Sequence, residues 1–105
     1  MTDWQLERLA GEAMGMTLDG VEGRDAFLWE SESGEPWCPM SSPDQAMHLV
    51  MTFGLCIEHV PERRRGKRKA WIAQDNAYSV LVEDDELGRA IVRCVATLEQ
   101  ARAKR

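Results

Sequence analysis

Apolar positions along this chain follow two periods, and the switches between them mark out the elements. Leu6, Leu9, Ala10 and Ala13 recur at helical spacing behind Thr2-Asp3-Trp4-Gln5. That tetrapeptide is a capping box, in which the Thr2 and Gln5 side chains satisfy each other's backbone donors. A helix is predicted over 3–14, stopped at Gly15, with Thr17 to Asp25 as loop around Gly20 and Gly23. Ala26-Phe27-Leu28-Trp29-Glu30 then reads as a short strand and Ser31 to Gly34 as a tight turn. Glu35-Pro36-Trp37-Cys38-Pro39 carries two prolines, which remove amide donors, so it is extended or an edge strand, with Trp37 as its anchor to the core.

Ser42-Pro43-Asp44-Gln45 is a second capping box, with proline at the first helical position and Asp44 set against the helix dipole. It opens a helix over 43–53 with Ala46, Met47, Val50 and Phe53 on one stripe, Met47 filling core, and Gly54 as its left-handed stop. Leu55 to Val60 has strand character, with Leu55, Ile57 and His59 on one face and Cys56, Glu58 and Val60 on the other, before Pro61 ends it. Ala70 to Gln74 and Ala77 to Val82 form a hairpin around Asp75-Asn76. Leu87, Ala90, Ile91, Cys94, Val95 and Leu98 then mark a last amphipathic helix, capped by Asp84 or Asp85. The predicted class is α+β: one αβ-sandwich domain over 1–105, three helices packed on a short antiparallel sheet made of a three-stranded meander plus an N-terminal strand.

Composition fits that picture. A chain of 105 residues, 44% apolar and 30% charged, is sized for one self-supporting core. The start MTDWQLERLAGEAMG is acidic and polar, unlike a secretory signal, and no apolar run approaches about 18 residues, so a cytoplasmic protein without membrane contact is expected. Cys38, Cys56 and Cys94 are an odd number at irregular spacing, which fits reduced thiols acting as small hydrophobes.

Candidate chemistry is sparse. Cys56 and His59 have a zinc-like spacing, but an odd separation on a strand sends their side chains to opposite faces, away from one tetrahedral centre. Cys94 lies on an apolar helix stripe, and Cys38, the one loop cysteine, has no matched histidine. Glu83 to Glu86 fit a helix start better than a cation loop, and no phosphate-binding glycine loop or dinucleotide fingerprint occurs. The expectation is therefore no catalytic residues, no metal and no cofactor.

Charge is the distinctive feature. The formal net charge is −5, yet six of the 13 basic residues, Arg63, Arg64, Arg65, Lys67, Arg68 and Lys69, stand together. Their repulsion and Gly66 fit a solvated loop. The same residues fit a finger for nucleic-acid phosphates or for an acidic protein surface, with Trp71 as a stacking neighbour or a core residue. Both readings stand at this point.

The element order, together with Ala13-Met14-Gly15-Met16, Trp37 running into Ser42-Pro43-Asp44-Gln45-Ala46, Trp71 opening a strand, and Ala90-Ile91-Val92-Arg93-Cys94 within the last helix, resembles the small phage proteins grouped as the phage ABA sandwich domain. The basic stretch and the methionines of residues 47–53 depart from that pattern. The resemblance implies a phage or prophage accessory protein in a bacterial host cell, binding and inhibiting or modulating a host protein or ribonucleoprotein complex, with anti-CRISPR inhibitors of host defence as the sharpest case. A nucleic-acid-binding module using residues 63–69 is the alternative. Neither reading specifies an oligomeric state.

Overall fold

Helix α1 (Asp3–Ala13) begins as its capping box dictates: Thr2 Oγ1 accepts from the Gln5 amide at 3.2 Å, and Gln5 Oε1 accepts from the Thr2 amide at 3.1 Å. The structure, a computed structural model, describes residues 1–104. After α1 come β1 (Leu18–Asp19), β2 (Leu28–Glu30), β3 (Pro36–Trp37), α2 (Pro43–Phe53), β4 (Cys56–His59), α3 (Glu62–Arg65), β5 (Trp71–Gln74), β6 (Leu81–Asp84) and α4 (Leu87–Ala103). The class is α+β as predicted, but the described residues form four helices and two three-stranded antiparallel sheets instead of three helices on one sheet.

The sheets are separate because they cover different helices. In β1-β2-β3, the cross-strand pairs Leu18↔Glu30 and Leu28↔Trp37 turn Leu18, Leu28 and Trp37 into the core, and this sheet rests on α1. In β4-β5-β6, Ile57, Ala73 and Val82 share one inward row, and β5 and β6 rest on α4. The α1–α4 interface, the most extensive between helices, lies between the two sheets. Helix α4 is enclosed on several sides, so Val92 and Ala96 are buried along with the predicted stripe of Ala90, Ile91, Cys94 and Val95. Burial pushes the Cys94 thiol up to about 11, which keeps it protonated and inert at neutral pH.

Several local expectations change. At α2, Ser42 Oγ accepts from the Gln45 amide at 3.4 Å, but the Gln45 carboxamide does not return the bond. It accepts from the Cys38 amide at 2.8 Å and donates to the Pro36 carbonyl at 2.7 Å, clamping β3 to the helix start. Met47 is half exposed, because the buried stripe of α2 runs through Ala46 and Leu49. No side chain caps α4: its N-cap is Glu86, and Asp84 serves that residue's amide instead. The second hairpin is wider than a two-residue turn. The Asp75 carboxylate accepts from the Ser79 and Val80 amides at 2.8 and 2.9 Å and from Ser79 Oγ at 2.6 Å, which holds residues 75–80 as a loop. The last strand therefore starts at Leu81, and the positive φ of that loop falls on Tyr78, at 58°, in place of Asp75 or Asn76.

Glu7 joins α1 to the segment after β3. Its backbone carbonyl accepts from Trp37 Nε1 at 2.7 Å and its carboxylate from the Met40 amide at 3.1 Å. Burial raises the Glu7 pKa above 4.5, opposed by the Met40 bond and assisted by Asp3. For a carboxylate raised by folding, the destabilising charge is fully present above the folded pKa and absent below the unfolded one. Glu7→Gln keeps the acceptor oxygen and should therefore match or exceed the wild type in melting temperature at pH 7. The advantage should shrink as pH falls toward 4.5, and thermal melts across pH 3 to 7 read it directly.

Candidate binding surfaces

A surface hollow of about 720 Å³ lies where α1, β6 and α4 meet and includes Met1, Leu6, Lys69, Asp84, Arg89 and Arg93 in its lining. Apart from Glu86, its charges are committed to ion pairs. Asp84, whose side chain is 13% exposed, accepts from Arg93 at 3.0 Å and lies 3.5 Å from Arg89. Arg89 also reaches Asp3 at 3.0 Å, and Arg93 the Glu83 carbonyl at 3.0 Å. The Thr97 hydroxyl donates to the Arg93 carbonyl at 2.8 Å. This network ties the α1 start and the end of β6 to the first turns of α4, and it holds no nucleophile beside a base. Among the described residues, no group of three or more His, Cys, Asp or Glu side chains converges as a metal site would require.

Two other surfaces carry some charged or aromatic groups that are exposed and unpaired among the described residues. The first surrounds β1-β2-β3. Residues 17–36 contain Asp19, Glu22, Asp25, Glu30, Glu32 and Glu35 against Arg24 alone, a net −5 that equals the formal charge of the whole chain. Alternation along β2 buries Leu28 and turns Trp29 outward, in a row between Asp19 and Pro36. Trp29 and Phe27 are 43% and 44% exposed, and Val21 in the preceding loop is 49% exposed. Of the carboxylates on these elements, Asp19 stands across from Trp29 and accepts from Ser31 Oγ, Glu22 accepts from Thr2 Oγ1 and Asp25 from the Val21 amide beside Arg24, while Glu32 in the β2–β3 turn has no ion pair among the described residues. Sequence reading placed the strand but missed the surface. The signal was present, since an aromatic at each odd position of 27–29 cannot share a face with Leu28.

The second surface is the basic stretch. Residues 62–69 carry six cations against Glu62, a net +5. Its first half forms the one-turn helix α3 where a loop was expected, because Arg65 folds back and donates to the Val60 carbonyl from Nε at 3.3 Å and Nη2 at 3.1 Å. Arg68 pairs with Glu83 at 3.2 Å and Lys69 with Asp85 at 3.5 Å. Three of the six candidate residues are thus structural posts. Arg63, Arg64 and Lys67 are exposed and have no ion pair among the described residues. The neck is closed by the Val60 amide donating to the Ala70 carbonyl at 2.8 Å. One rung below it, exposed His59 faces Trp71 across the β4–β5 ladder, ring centroids 4.6 Å apart and planes tilted by 51°. Trp71 also packs against the core, so it is both core residue and neighbour of the finger.

No helix among the described residues is long and apolar enough to cross a membrane. Comparison with family models, with curated proteins and with solved structures found no match.

Proposed function

We propose that this protein works by binding, without catalysis, and that its acidic first sheet docks on a basic protein surface of a host complex. The observation that carries this is Trp29 and Phe27, nearly half exposed amid the carboxylates of residues 17–36. Exposed aromatics rimmed by charge are the composition of a protein interface, where the ring is desolvated and the rim selects by complementarity. An acidic face of this kind competes with nucleic acid for a basic groove. The phage setting, including inhibition of a defence complex of the CRISPR type, is supported by the resemblance to phage ABA sandwich proteins and agrees with this mode of action.

The test is capture from bacterial host lysate at low and moderate salt, with quantitative mass spectrometry. The wild type should retain a defined partner that a Trp29→Ala, Glu32→Lys, Glu35→Lys variant loses by tenfold or more. An Arg63→Ala, Arg64→Ala, Lys67→Ala variant should keep it. Equal retention by both variants, or no partner enriched over an unrelated acidic protein, contradicts the proposal.

A further inference from the structure

We infer that the basic finger is a second, separate site, and that its ligand is single-stranded nucleic acid. This goes beyond the protein-docking reading and does not depend on it. Arg63 and Arg64 stand together on α3, Lys67 follows Gly66, and all three present uncommitted cations at the end of an arm braced by Arg65, Arg68 and Lys69. A braced arm loses less conformational freedom on binding than a floppy loop of the same charge. The His59–Trp71 pair sits at its base, with His59 exposed, so a strand whose phosphates follow the arm brings a base to an aromatic face. Cations along the backbone with a ring beneath a base make up the usual single-strand platform. Bases in a duplex are stacked on one another and cannot reach such a ring.

The overall charge of −5 does not oppose this. The acidic sheet rests on α1 and the finger rises from the sheet on α4, so the helix layer separates them. One helix diameter is roughly 10 Å and the Debye length at physiological salt about 8 Å, so the finger's own charge governs the encounter, +3 once Glu83 and Asp85 are counted with the cations they pair. Glu62 is the one acid within the finger; at its base Glu83 pairs with Arg68, Asp85 with Lys69 and Asp84 with Arg89 and Arg93, and Glu58, which has no ion pair among the described residues, alternates onto the face of β4 opposite His59.

Fluorescence anisotropy with a labelled oligothymidylate of about 12 nucleotides tests the site on the full chain. Binding should weaken with salt at a log–log slope of about −2, as three phosphate contacts on a single strand require. Arg63→Ala, Arg64→Ala, Lys67→Ala should weaken it by at least about tenfold. His59→Ala should weaken it by about fivefold or more while leaving the salt slope unchanged, a pattern that separates stacking from charge. These side chains are exposed, so circular dichroism of each variant should match the wild type. A duplex of equal length binding as tightly as the single strand overturns the assignment, as does an unchanged affinity in the triple variant or in His59→Ala. Displacement of the oligonucleotide by an equal concentration of polyglutamate also overturns it, and assigns the finger to an acidic protein instead.

Discussion

Trp37→Ala should lower the stability of this protein by about 3 to 5 kcal/mol, the largest loss expected from any single substitution considered for it. Trp37 is 3% exposed, packs in the core with Leu18 and Leu28, and donates from Nε1 to the Glu7 carbonyl at 2.7 Å. Truncation leaves a void that the two-residue strand β3 cannot fill, and it removes the indole bond that ties β3 to α1. Domains of this size are stable by about 5 to 15 kcal/mol and lose about 4 to 8 °C per kcal/mol, so the melting temperature should fall by roughly 12 to 40 °C. Trp29→Ala is the matched control. That ring is 43% exposed on the outside of the same sheet, and its loss should stay within about 0.5 kcal/mol. Urea and thermal melts of the two variants compare a core tryptophan with a surface one eight residues away in the same hairpin. Equal losses would show that the sheet has been given the wrong inward face.

Gly88→Ala should destabilise by about 1 to 3 kcal/mol, although helix propensity alone argues the other way. Gly88 lies in the first turn of α4, where alanine is normally favoured over glycine by about 1 kcal/mol. Here a methyl group would collide with the Met40 carbonyl oxygen and sit 3.1 Å from the Met40 carbonyl carbon. The obstacle is backbone, so no rotamer change relieves it, and either α4 or the segment before α2 must shift. That segment is pinned by the bond from the Met40 amide to Glu7. The sign of the effect therefore decides between local propensity and tertiary packing. A chemical-denaturation midpoint above that of the wild type would mean that the approach of Met40 to α4 is looser than the structure has it.

The parts of the fold that were legible in the sequence are those written locally. Thr2 with Gln5 and Ser42 with its proline state where helices begin, and Gly54, with φ 62°, states where one ends, because a residue with Cβ is strained there. The periodicity of Leu87 to Leu98 located α4. Features set by distant partners were less legible. Strand β1 is two residues long and exists because Leu18 and Asp19 find Glu30 and Trp29, so it leaves no period of its own. Gln45 has the letter of a capping box, yet the neighbouring β3 backbone takes its carboxamide. Ser79 and Val80 look like strand, but the Asp75 carboxylate binds their amides into a loop.

The surfaces divide in the same way. Composition announced residues 63–69 as one basic group, but only the geometry separates Arg65, Arg68 and Lys69, which brace the arm, from Arg63, Arg64 and Lys67, which are presented by it. The acidic face needed the alternation of Leu28 and Trp29 to be read together with charge, since neither is unusual alone.

Hydrogen–deuterium exchange of the protein with its captured partner tests the docking claim most directly, because it reports which backbone amides the complex covers. Protection should appear across residues 18–37, centred on Trp29, with residues 62–69 exchanging as in the free protein when nucleic acid has been removed. Protection that spares the first sheet and falls elsewhere, on the β4–β5 face or on α2, would contradict the account.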